Sequence, residues 1–326
     1  MKILLTGGAG FIGSHLTRSL LAHGHTVVCI DNLNDFYDPN IKVKNLKEFE
    51  SNREYHFYQN DIRDKGALKM IFDTHKIDLV VHLAAQAGVR PSIEDPELYY
   101  AVNIMGTLNI LEQMKASGCK KMIFGSSSSV YGNNKKTPFS ELDPVDNPIS
   151  PYAATKKSGE LLCHTFHKLY NIDIFCLRFF SVYGPGQRPE MAIAKFTKAI
   201  FEGDPIPMYG DGSSERDYTY VDDIVNGILL SIKNLKGFDI FNLGEASTIS
   251  LKNLIHLIEN ICEKKALINE LPMQAGDVTI TYADNSKAKE LLGYSPKTNI
   301  EEGVRRYVNW YRRNFFVNVY DVFQNN

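Results

Sequence analysis

Residues 6–13 read Thr6-Gly7-Gly8-Ala9-Gly10-Phe11-Ile12-Gly13, between a short apolar run at 2–6 and an amphipathic stretch at 11–23. A strand, a glycine-rich turn and a helix in this order are typical of a loop that binds a dinucleotide. The glycines let the backbone approach a pyrophosphate, and the first helical turn presents unpaired N–H groups to that anion. An ordinary turn between a strand and a helix is the simpler alternative, which the flanking sequence disfavours. The residues that we expect to contact the cofactor here are Gly7, Gly10, Phe11, Ile12 and Gly13.

Asp31 ends the next predicted strand and follows Gly13 by 18 residues. A carboxylate at this place can accept hydrogen bonds from the adenine ribose, and it repels a 2′-phosphate. We therefore expect the cofactor to be NAD rather than NADP.

Outward from this loop, strand-like and helix-like stretches alternate through the first half of the chain. The predicted strands lie at 2–6, 26–31, 54–59, 79–83, 121–125 and 173–178, and the predicted helices at 11–23, 65–74, 95–117 and 150–170. Such alternation indicates parallel βαβ units with helices on both faces of one sheet. The sequence therefore predicts an α/β fold with a Rossmann-type, doubly wound parallel sheet.

The pattern changes after Arg178, where glycines punctuate loops at 184–186 and 210–212 among shorter elements. We expect a smaller, mixed α/β substrate domain whose boundary with the first is interleaved. The predicted cofactor domain comprises 1–178 with about 217–245, the substrate domain comprises 179–216 and 246–316, and 317–326 form a tail.

Composition excludes several classes of protein. The 326 residues carry 36 Lys and Arg against 38 Asp and Glu, and a net charge of −2 argues against nucleic-acid or anionic-membrane partners. The N-terminus has no signal-peptide pattern, and no apolar run is long enough to span a membrane. Five cysteines without C-x-x-C spacing indicate reduced thiols in a cytoplasmic protein, and no metal site is expected.

A second chemical signal is Ser150-Pro151-Tyr152-Ala153-Ala154-Thr155-Lys156. Ser150 and Pro151 suit a helix start, so Tyr152 and Lys156 would leave one helix face a turn apart. A nearby ammonium favours the phenolate and should lower the pKa of Tyr152, which would make it an acid/base. A surface lysine beside a half-buried tyrosine is the alternative for this stretch alone.

Further motifs occur in an order that resembles the extended short-chain dehydrogenase/reductases, and nucleotide-sugar epimerases in particular. They are residues 60–64 (Asn-Asp-Ile-Arg-Asp), 82–85 (His-Leu-Ala-Ala), 126–132 (Ser-Ser-Ser-Ser-Val-Tyr-Gly), 177–185 (Leu-Arg-Phe-Phe-Ser-Val-Tyr-Gly-Pro), 216–218 (Arg-Asp-Tyr) and 276–278 (Gly-Asp-Val). Residues 31–35 and 86–90 look most like the UDP-glucuronate 4-epimerase branch.

This resemblance implies an NAD-dependent 4-epimerase of a UDP-sugar that works through a 4-keto intermediate. Tyr152 would take the proton of the 4-hydroxyl, Lys156 would stabilise the phenolate and hold the nicotinamide ribose, and Ser127 would relay a proton or bind the developing ketone. The other cofactor contacts that it implies are Asn32, Asp61, Ile62, Leu83, Ala84, Ala85, Asn103 and Phe179.

On the substrate side, Arg216 resembles the arginine that binds the UDP diphosphate, and Asp277 lies where the family contacts the uridine ribose and phosphate. Galactose-type epimerases often carry an arginine where this chain has Gln274, and an asparagine where it has Ser181. Ser128 and Ser181 complete the expected substrate contacts. The helices at 96–117 and 150–170 resemble those that pair in a homodimer.

A glucuronate carries a carboxylate that a neutral hexose lacks, so its enzyme should offer a cation there. Arg90 and Arg188 are the candidates, because both lie in loops that follow the carboxyl ends of predicted strands. Arg188 lies in a stretch that resembles the carboxylate-reading motif of uronate epimerases. Pairing of both arginines with local acids such as Glu190 or Glu94 is the alternative.

Competing functions remain on the same fold. A UDP-glucose or N-acetylhexosamine 4-epimerase is the nearest. Related dehydratases and decarboxylases carry carboxylates where this chain has Ser128-Ser129, which argues against them. A non-catalytic dinucleotide sensor would have no reason to keep Ser127, Tyr152 and Lys156 together.

Overall fold

A computed structural model describes residues 1–272 and 278–315. Its strands are β1 (Lys2–Thr6), β2 (Thr26–Ile30), β3 (Tyr55–Tyr58), β4 (Leu79–His82), β5 (Lys121–Ser127), β6 (Asp173–Phe179), β7 (Ser181–Tyr183), β8 (Pro205–Tyr209), β9 (Glu215–Arg216), β10 (Tyr218–Tyr220), β11 (Phe238–Leu243), β12 (Ile249–Ser250) and β13 (Leu267–Leu271).

The α-helices are α1 (Phe11–Ala22), α2 (Pro39–Lys47), α3 (Lys65–Thr74), α4 (Val89–Glu94), α5 (Pro96–Tyr99), α6 (Thr107–Ser117), α7 (Pro151–Tyr170), α8 (Ala192–Glu202), α9 (Val221–Asn234), α10 (Leu251–Cys262), α11 (Ser286–Leu292) and α12 (Ile300–Phe315). A π-helix spans Tyr100–Gly106 and a 3₁₀-helix spans Ser128–Tyr131.

A seven-stranded parallel sheet in the order β11-β6-β5-β4-β1-β2-β3 forms the centre of the fold. The order reverses between β1 and β4, which makes this a doubly wound sheet with a crevice at the carboxyl ends of those strands. The predicted Rossmann-type fold is confirmed.

Both faces of the sheet are buried. Successive side chains of each strand point to opposite faces, and apolar residues occupy both. In β1, Ile3 and Leu5 join the core beneath α1 and α9, whereas Leu4 joins the opposite core with Ile71 of α3 and Phe166 of α7. Each fully buried aliphatic side chain of this kind contributes about 1.5–3 kcal/mol. The strand ends are thereby held in fixed register, and the side chains that follow them meet at one edge.

The second half of the chain contributes both to this sheet and to smaller ones. β11 pairs with β6 in the central sheet, while β7 pairs with β10, β8 with β13 and β9 with β12 in two-stranded sheets. The core of this part is continuous with the core beneath α1 and α9. The predicted division into two domains remains a prediction, and residues 317–326 lie outside the described part.

The predicted helix at 95–117 is present as one uninterrupted helical run, in which α5, the π-helix and α6 follow one another directly. The sequence did not indicate the π-helical turns in its middle. Within the widened turn, the Asn103 side chain binds the backbone of Gln86, and Thr107 Oγ1 donates to the Asn103 carbonyl at 2.6 Å. These side-chain bonds compete with the regular ladder of the helix.

Helix α2 was not predicted, although it begins with an aspartate and a proline, as the predicted helix at 95–117 does. Asp38 caps α2 by accepting from Asn40 N, and Pro39 occupies the first turn. Asp95 and Pro96 open α5 in the same way. No helix in residues 1–272 and 278–315 has the length and apolar character of a membrane span.

Candidate active site

A cavity of about 290 Å³ opens at the carboxyl edge of the central sheet. Residues that follow β1, β2, β3 and β4 line it together with the ends of β5 and β6, with α7 and with the segment before α8. Residues predicted for the cofactor site meet there, namely Gly7, Gly10, Phe11, Ile12, Gly13, Asp31, Asn32, Asp61, Ile62, Leu83, Ala84, Ala85, Tyr152, Lys156 and Phe179. Ser127, Ser181 and Arg188 line the same cavity.

The glycine loop brings the start of α1 against this cavity. Gly7 has φ +72°, and a Cβ there would lie 2.8 Å from Ala84 N. A Cβ on Gly13 would lie 2.2 Å from the Gly7 carbonyl oxygen, so both positions need glycine. Gly10, the N-cap of α1, makes no side-chain capping bond. The first-turn N–H groups therefore suit an anionic ligand.

Asp31 follows β2 and is buried at the cavity wall. Its Oδ2 accepts from Ala9 N at 3.2 Å, and its Oδ1 accepts from Leu33 N at 2.9 Å. The pKa of this carboxyl is raised, because burial outweighs the opposite effect of these hydrogen bonds and of the nearby charge of Lys42. Lys42 also lines the cavity, and its ammonium donates to Asn34 O at 2.9 Å. The sequence did not indicate a cation next to Asp31, the carboxylate that is expected to bind the adenine ribose.

Asp61 and the residues after β4 form the adjoining wall. Asp61 Oδ2 accepts from Asn32 Nδ2 at 2.9 Å, and Arg63, which donates to both carboxylate oxygens, is the main cause of a lowered Asp61 pKa. Ala84 N donates to Thr6 Oγ1 at 3.1 Å, which ties this wall to β1.

Asn103 differs from its prediction, because it lies behind the wall rather than in the cavity lining. Its buried amide binds Gln86 O and Thr155 Oγ1, each at 2.9 Å, and Gln86 lines the cavity in its place. The hydroxyl of Thr155 donates in turn to Tyr152 O at 2.8 Å. Asn103 thus supports the backbone of two lining residues.

Ser127, Tyr152 and Lys156 come together as predicted. Ser150 caps α7 by accepting from Ala153 N at 3.2 Å, and Pro151 is its first residue. The Ser127 side chain hydrogen-bonds Tyr152 and also Ser129 Oγ, the latter at 3.1 Å. A hydroxyl, a phenol and an ammonium therefore share one wall, which is the set that proton transfer to and from an alcohol requires.

The pKa of Tyr152 is raised, contrary to the expectation that Lys156 would lower it. Burial is the largest cause, and the hydrogen bond from Ser127 and the positive charge of Arg188 act in the opposite direction. Lys156 Nζ donates to Gly125 O at 2.7 Å, and burial lowers its own pKa to about 8. The positive charge of Arg188 therefore acts on Tyr152 in addition to Lys156, whose Nζ lies 5.9 Å from the centre of the tyrosine ring.

A buried ion pair supports the end of β5 from behind. Glu160 of α7 accepts two bonds of 2.8 Å from Arg178, and its Oε1 also accepts from Ser126 Oγ at 2.7 Å. Arg178 donates further to Tyr131 OH at 2.9 Å. Because both charged side chains are at most 2% exposed, the pair fixes the backbone from which Ser127 projects.

A second cavity, of about 140 Å³, adjoins the first through Ser181, which lines both. Ser128 and Arg216 line this one, as predicted for the substrate side. Arg216 donates to Glu215 O at 2.8 Å, which directs its guanidinium along β9. Asp277 and Gln274 lie outside the described residues.

The two candidate arginines lie in different places, and only one of them lines the first cavity. Arg188 lines the first cavity, its Nε lies 3.2 Å from Glu190 Oε1, and its Cζ lies 5.5 Å from the centre of the Phe36 ring. Arg90 lines neither described cavity, and its guanidinium stacks at 4.9 Å on Tyr209 of β8. The ion pair with a local acid, given above as the alternative for Arg188, is therefore present as well.

Several lining residues were missed from the sequence, including Phe36, Tyr37, Lys42 and Met191. Met191 precedes α8 and lines the cavity. Phe36, Tyr37 and Lys42 lie in or after the loop that leaves Asp31, and that position alone could have indicated them.

The arrangement fits a dinucleotide by three independent features. The glycine cradle and the open start of α1 suit a pyrophosphate, Asp31 and Asp61 suit ribose and base donors, and apolar Leu83 and Phe179 suit a planar ring. Tyr152 lines the same cavity as Phe179.

Known proteins are similar to this chain over nearly its whole length. The sequence profile of the GDP-mannose 4,6 dehydratase family matches residues 4–307. A UDP-glucuronate 4-epimerase of Thermodesulfobacterium geofontis is 48% identical over 312 residues, which cover 95% of this chain and 96% of that protein.

Two solved structures are similar in fold. The UDP-glucuronic acid 4-epimerase of Bacillus cereus, in complex with UDP-glucuronic acid and NAD, has a TM-score of 0.90 at 39% identity and covers 97% of this chain and 100% of that one. The UDP-glucose 4-epimerase of Thermotoga maritima with UDP-glucose has a TM-score of 0.89 at 38% identity, covering 96% and 99%. The chain belongs to the GDP-mannose 4,6 dehydratase family of extended short-chain dehydrogenase/reductases.

Proposed function

We propose that this protein is an NAD-dependent UDP-glucuronate 4-epimerase, which interconverts UDP-glucuronate and UDP-galacturonate. The observation that carries the choice of sugar is the position of Arg188, which lines the same cavity as Ser127, Tyr152 and Lys156. A guanidinium offers two parallel N–H donors to a carboxylate. The similarity to the epimerases of T. geofontis and B. cereus supports the same choice.

Bound NAD supplies a reversible hydride acceptor for C4 of the sugar. Tyr152 takes the proton of the 4-hydroxyl and gives it back after the sugar has presented its other face. Ser127 hydrogen-bonds Tyr152 and can relay that proton or donate to the developing 4-keto oxygen. Lys156, held against Gly125 O, keeps an ammonium beside the tyrosine and the cofactor ribose. No external reductant is required, because an epimerase returns the hydride that it removes.

Arg188 has a second task in this reaction. The 4-keto form of a uronate is a β-keto acid, which loses CO₂ when its carboxylate aligns with the ketone. A bidentate contact with Arg188 holds the bond to the carboxylate near the plane of the ketone, where it overlaps poorly with the ketone π system. The sugar is thereby protected from loss of CO₂. Glu190, 3.2 Å from Arg188 Nε, neutralises the guanidinium until the substrate carboxylate replaces it.

The diphosphate and uridine lie on the Arg216 side in this proposal. Ser128, Ser181 and Arg216 line the second cavity, which meets the first at Ser181. Asp277 and Gln274 are assigned to the nucleotide grip from sequence alone. Arg90 is not assigned a substrate contact, because its guanidinium stacks on Tyr209 outside both cavities.

A UDP-glucose 4-epimerase is the second candidate, and the similarity to the T. maritima enzyme favours it. Dehydration and decarboxylation are disfavoured, because Ser128 and Ser129 stand where those enzymes carry carboxylates. We further propose a homodimer through α7 and the neighbouring π-helix, on which Leu161, Tyr100 and Met105 are exposed. The five thiols, all buried and unlinked, support a cytoplasmic location.

The test is a panel of UDP-sugars with products identified by NMR. UDP-glucuronate should give UDP-galacturonate, and Arg188→Ala should abolish this turnover, whereas turnover of UDP-glucose, compared at the plateau of each protein's pH profile, should change little. Faster turnover of UDP-glucose than of UDP-glucuronate by the native protein would contradict the choice of sugar. Accumulation of a 4-keto-6-deoxy product or of a pentose nucleotide would contradict epimerisation.

A further inference from the structure

Phe36 lies in the loop that leaves Asp31, and its ring stacks against the guanidinium of Arg188. Resting on the proposed function, we propose that Phe36 is a specificity-determining residue, because its ring positions Arg188 for the carboxylate of a uronate. The loop that begins at Asp31, which is expected to bind the adenine ribose, would thus also contribute to recognition of the sugar.

The loop between Asp31 and Phe36 has a defined conformation. Its polar side chains cap its own backbone: Leu33 N donates to Asp31 Oδ1 at 2.9 Å, and Asn34 N donates to Asn32 Oδ1 at 3.1 Å. Lys42 of α2 also donates to the Asn34 carbonyl at 2.9 Å. These bonds order the residues before Phe36, so its ring is presented at a fixed place.

The ring of Phe36 lines the cavity beside Arg188. Its Cζ would lie 3.9 Å from a Cβ built on Gly88, in the loop after β4, and the Arg188 Cζ lies 5.5 Å from its centre. Phe36 therefore lies next to both the loop after β4 and the segment that carries Arg188, although it comes from the loop that follows Asp31.

The two partners of Arg188 use different parts of the guanidinium. Glu190 meets the N–H edge, at 3.2 Å from Nε, and its side chain is 45% exposed. An aromatic ring is attracted to the cation over its face. A substrate carboxylate competes with Glu190 for the edge but does not compete with Phe36 for the face. The ring can therefore hold Arg188 in place while its hydrogen bonds pass from Glu190 to the uronate.

A second arginine–aromatic pair in the same chain provides a matched control. Arg90 stacks on Tyr209 at 4.9 Å, which is a similar contact, but neither residue lines the described cavities. Loss of an aromatic partner should matter for Arg188 and not for Arg90 if the effect is on sugar recognition.

The experiment compares the native enzyme with Phe36→Leu, Phe36→Tyr and Tyr209→Leu, each with its NAD content measured. We expect Phe36→Leu to raise KM for UDP-glucuronate about three- to tenfold, with kcat within about twofold. The inhibition constant of UDP, which has no sugar, should stay unchanged in all variants. Phe36→Tyr keeps the ring and should restore the native KM, and Tyr209→Leu should match the native enzyme throughout.

The outcomes separate this assignment from the function on which it rests. A native enzyme that does not turn over UDP-glucuronate overturns both. Turnover by the native enzyme with an unchanged KM in Phe36→Leu overturns only the role of Phe36. Equal weakening of UDP and UDP-glucuronate, or loss of NAD from Phe36→Leu, also overturns it, because the residue would then serve the nucleotide or the cofactor.

Discussion

Lys156 Nζ lies 5.9 Å from the centre of the Tyr152 ring, one helical turn away on α7. Its ammonium donates to Gly125 O at 2.7 Å rather than to the phenol. The lysine side chain therefore extends past the tyrosine and binds the backbone of β5. Its ammonium is buried, and the consequence is a lowered pKa of about 8.

The first prediction concerns how this lysine affects stability with pH. Between about pH 8 and pH 10, the unfolded chain binds a proton at Lys156 that the folded chain has released. The free energy of unfolding of the native protein should therefore rise with pH in this window relative to that of Lys156→Met. Urea unfolding of both proteins at pH 7, 8, 9 and 10 measures the difference. A difference that does not change with pH would show that the pKa of Lys156 is not lowered.

The second prediction concerns the charge that acts on Tyr152. In the proposed reaction the phenolate is the active base, so the rate should rise with pH through the pKa of Tyr152, which burial raises and Arg188 lowers. Arg188→Gln should move this rising limb to higher pH. The profile of kcat is measured with UDP-glucose, whose neutral sugar does not need the carboxylate grip. Arg90→Gln, outside both cavities, is the control and should leave the limb in place. A shift toward lower pH in Arg188→Gln would be inconsistent with its role.

The third prediction concerns cofactor choice. Asp31→Ala removes the carboxylate that repels a 2′-phosphate and leaves the neighbouring ammonium of Lys42. The affinity for NADP should rise about tenfold relative to NAD, as a change of about 1.4 kcal/mol corresponds to a factor of ten. Adding Lys42→Met should reverse most of that gain, because the cation that meets the phosphate is then gone. Titration of NAD-free protein with both cofactors gives the ratios, and equal affinities in the native protein would contradict the role of Asp31.

Much of this site could be predicted from the sequence, because parallel sheets bring successive strand ends to one edge. Thr6–Gly13 and Asp31 reach the cavity through the strands that precede them, and the Tyr–Lys spacing fixes one helix face. These features depend on local patterns and on the topology that follows from them.

The failures depend on contacts between distant parts of the chain. Arg90 and Arg188 both follow strand ends, yet only one lines the cavity, because Tyr209 lies beneath the other. Asn103 is turned away by the backbone of Gln86 and by Thr155, which are 17 and 52 residues distant. The raised pKa of Tyr152 likewise depends on its burial by surrounding elements, which no local spacing reports.

The fourth prediction concerns the proposed homodimer. Leu161 of α7 is 56% exposed, and Tyr100 and Met105 are exposed on the adjoining π-helix. An apolar face of this kind on neighbouring helices is typical of a contact surface. Leu161→Glu should give a monomeric mass by light scattering at micromolar concentration, where the native chain gives a dimer. Leu142→Glu is the control, because Leu142 is exposed in a loop that is part of neither helix, and a monomeric native chain would refute the proposal.

The last prediction concerns the ion pair behind the catalytic serine. Glu160→Gln leaves Arg178 buried without its counter-charge, and breaking a buried pair in this way costs about 3–5 kcal/mol of unfolding free energy. Glu301→Gln is the matched control, since Glu301 and Arg305 pair on the exposed side of α12, where such a pair contributes about 0.5 kcal/mol or less. Urea unfolding of both variants measures the two losses.

Activity adds a second readout for the same pair. Ser126 donates to Glu160, so Glu160→Gln should lower kcat for UDP-glucuronate through the displaced Ser127, whereas the inhibition constant of UDP should stay native. Equal small losses of stability in Glu160→Gln and Glu301→Gln would mean that Arg178 finds compensation from Tyr131 alone. The buried charge would then be incidental to the position of the serine, and the support of β5 from α7 would have to come from apolar packing.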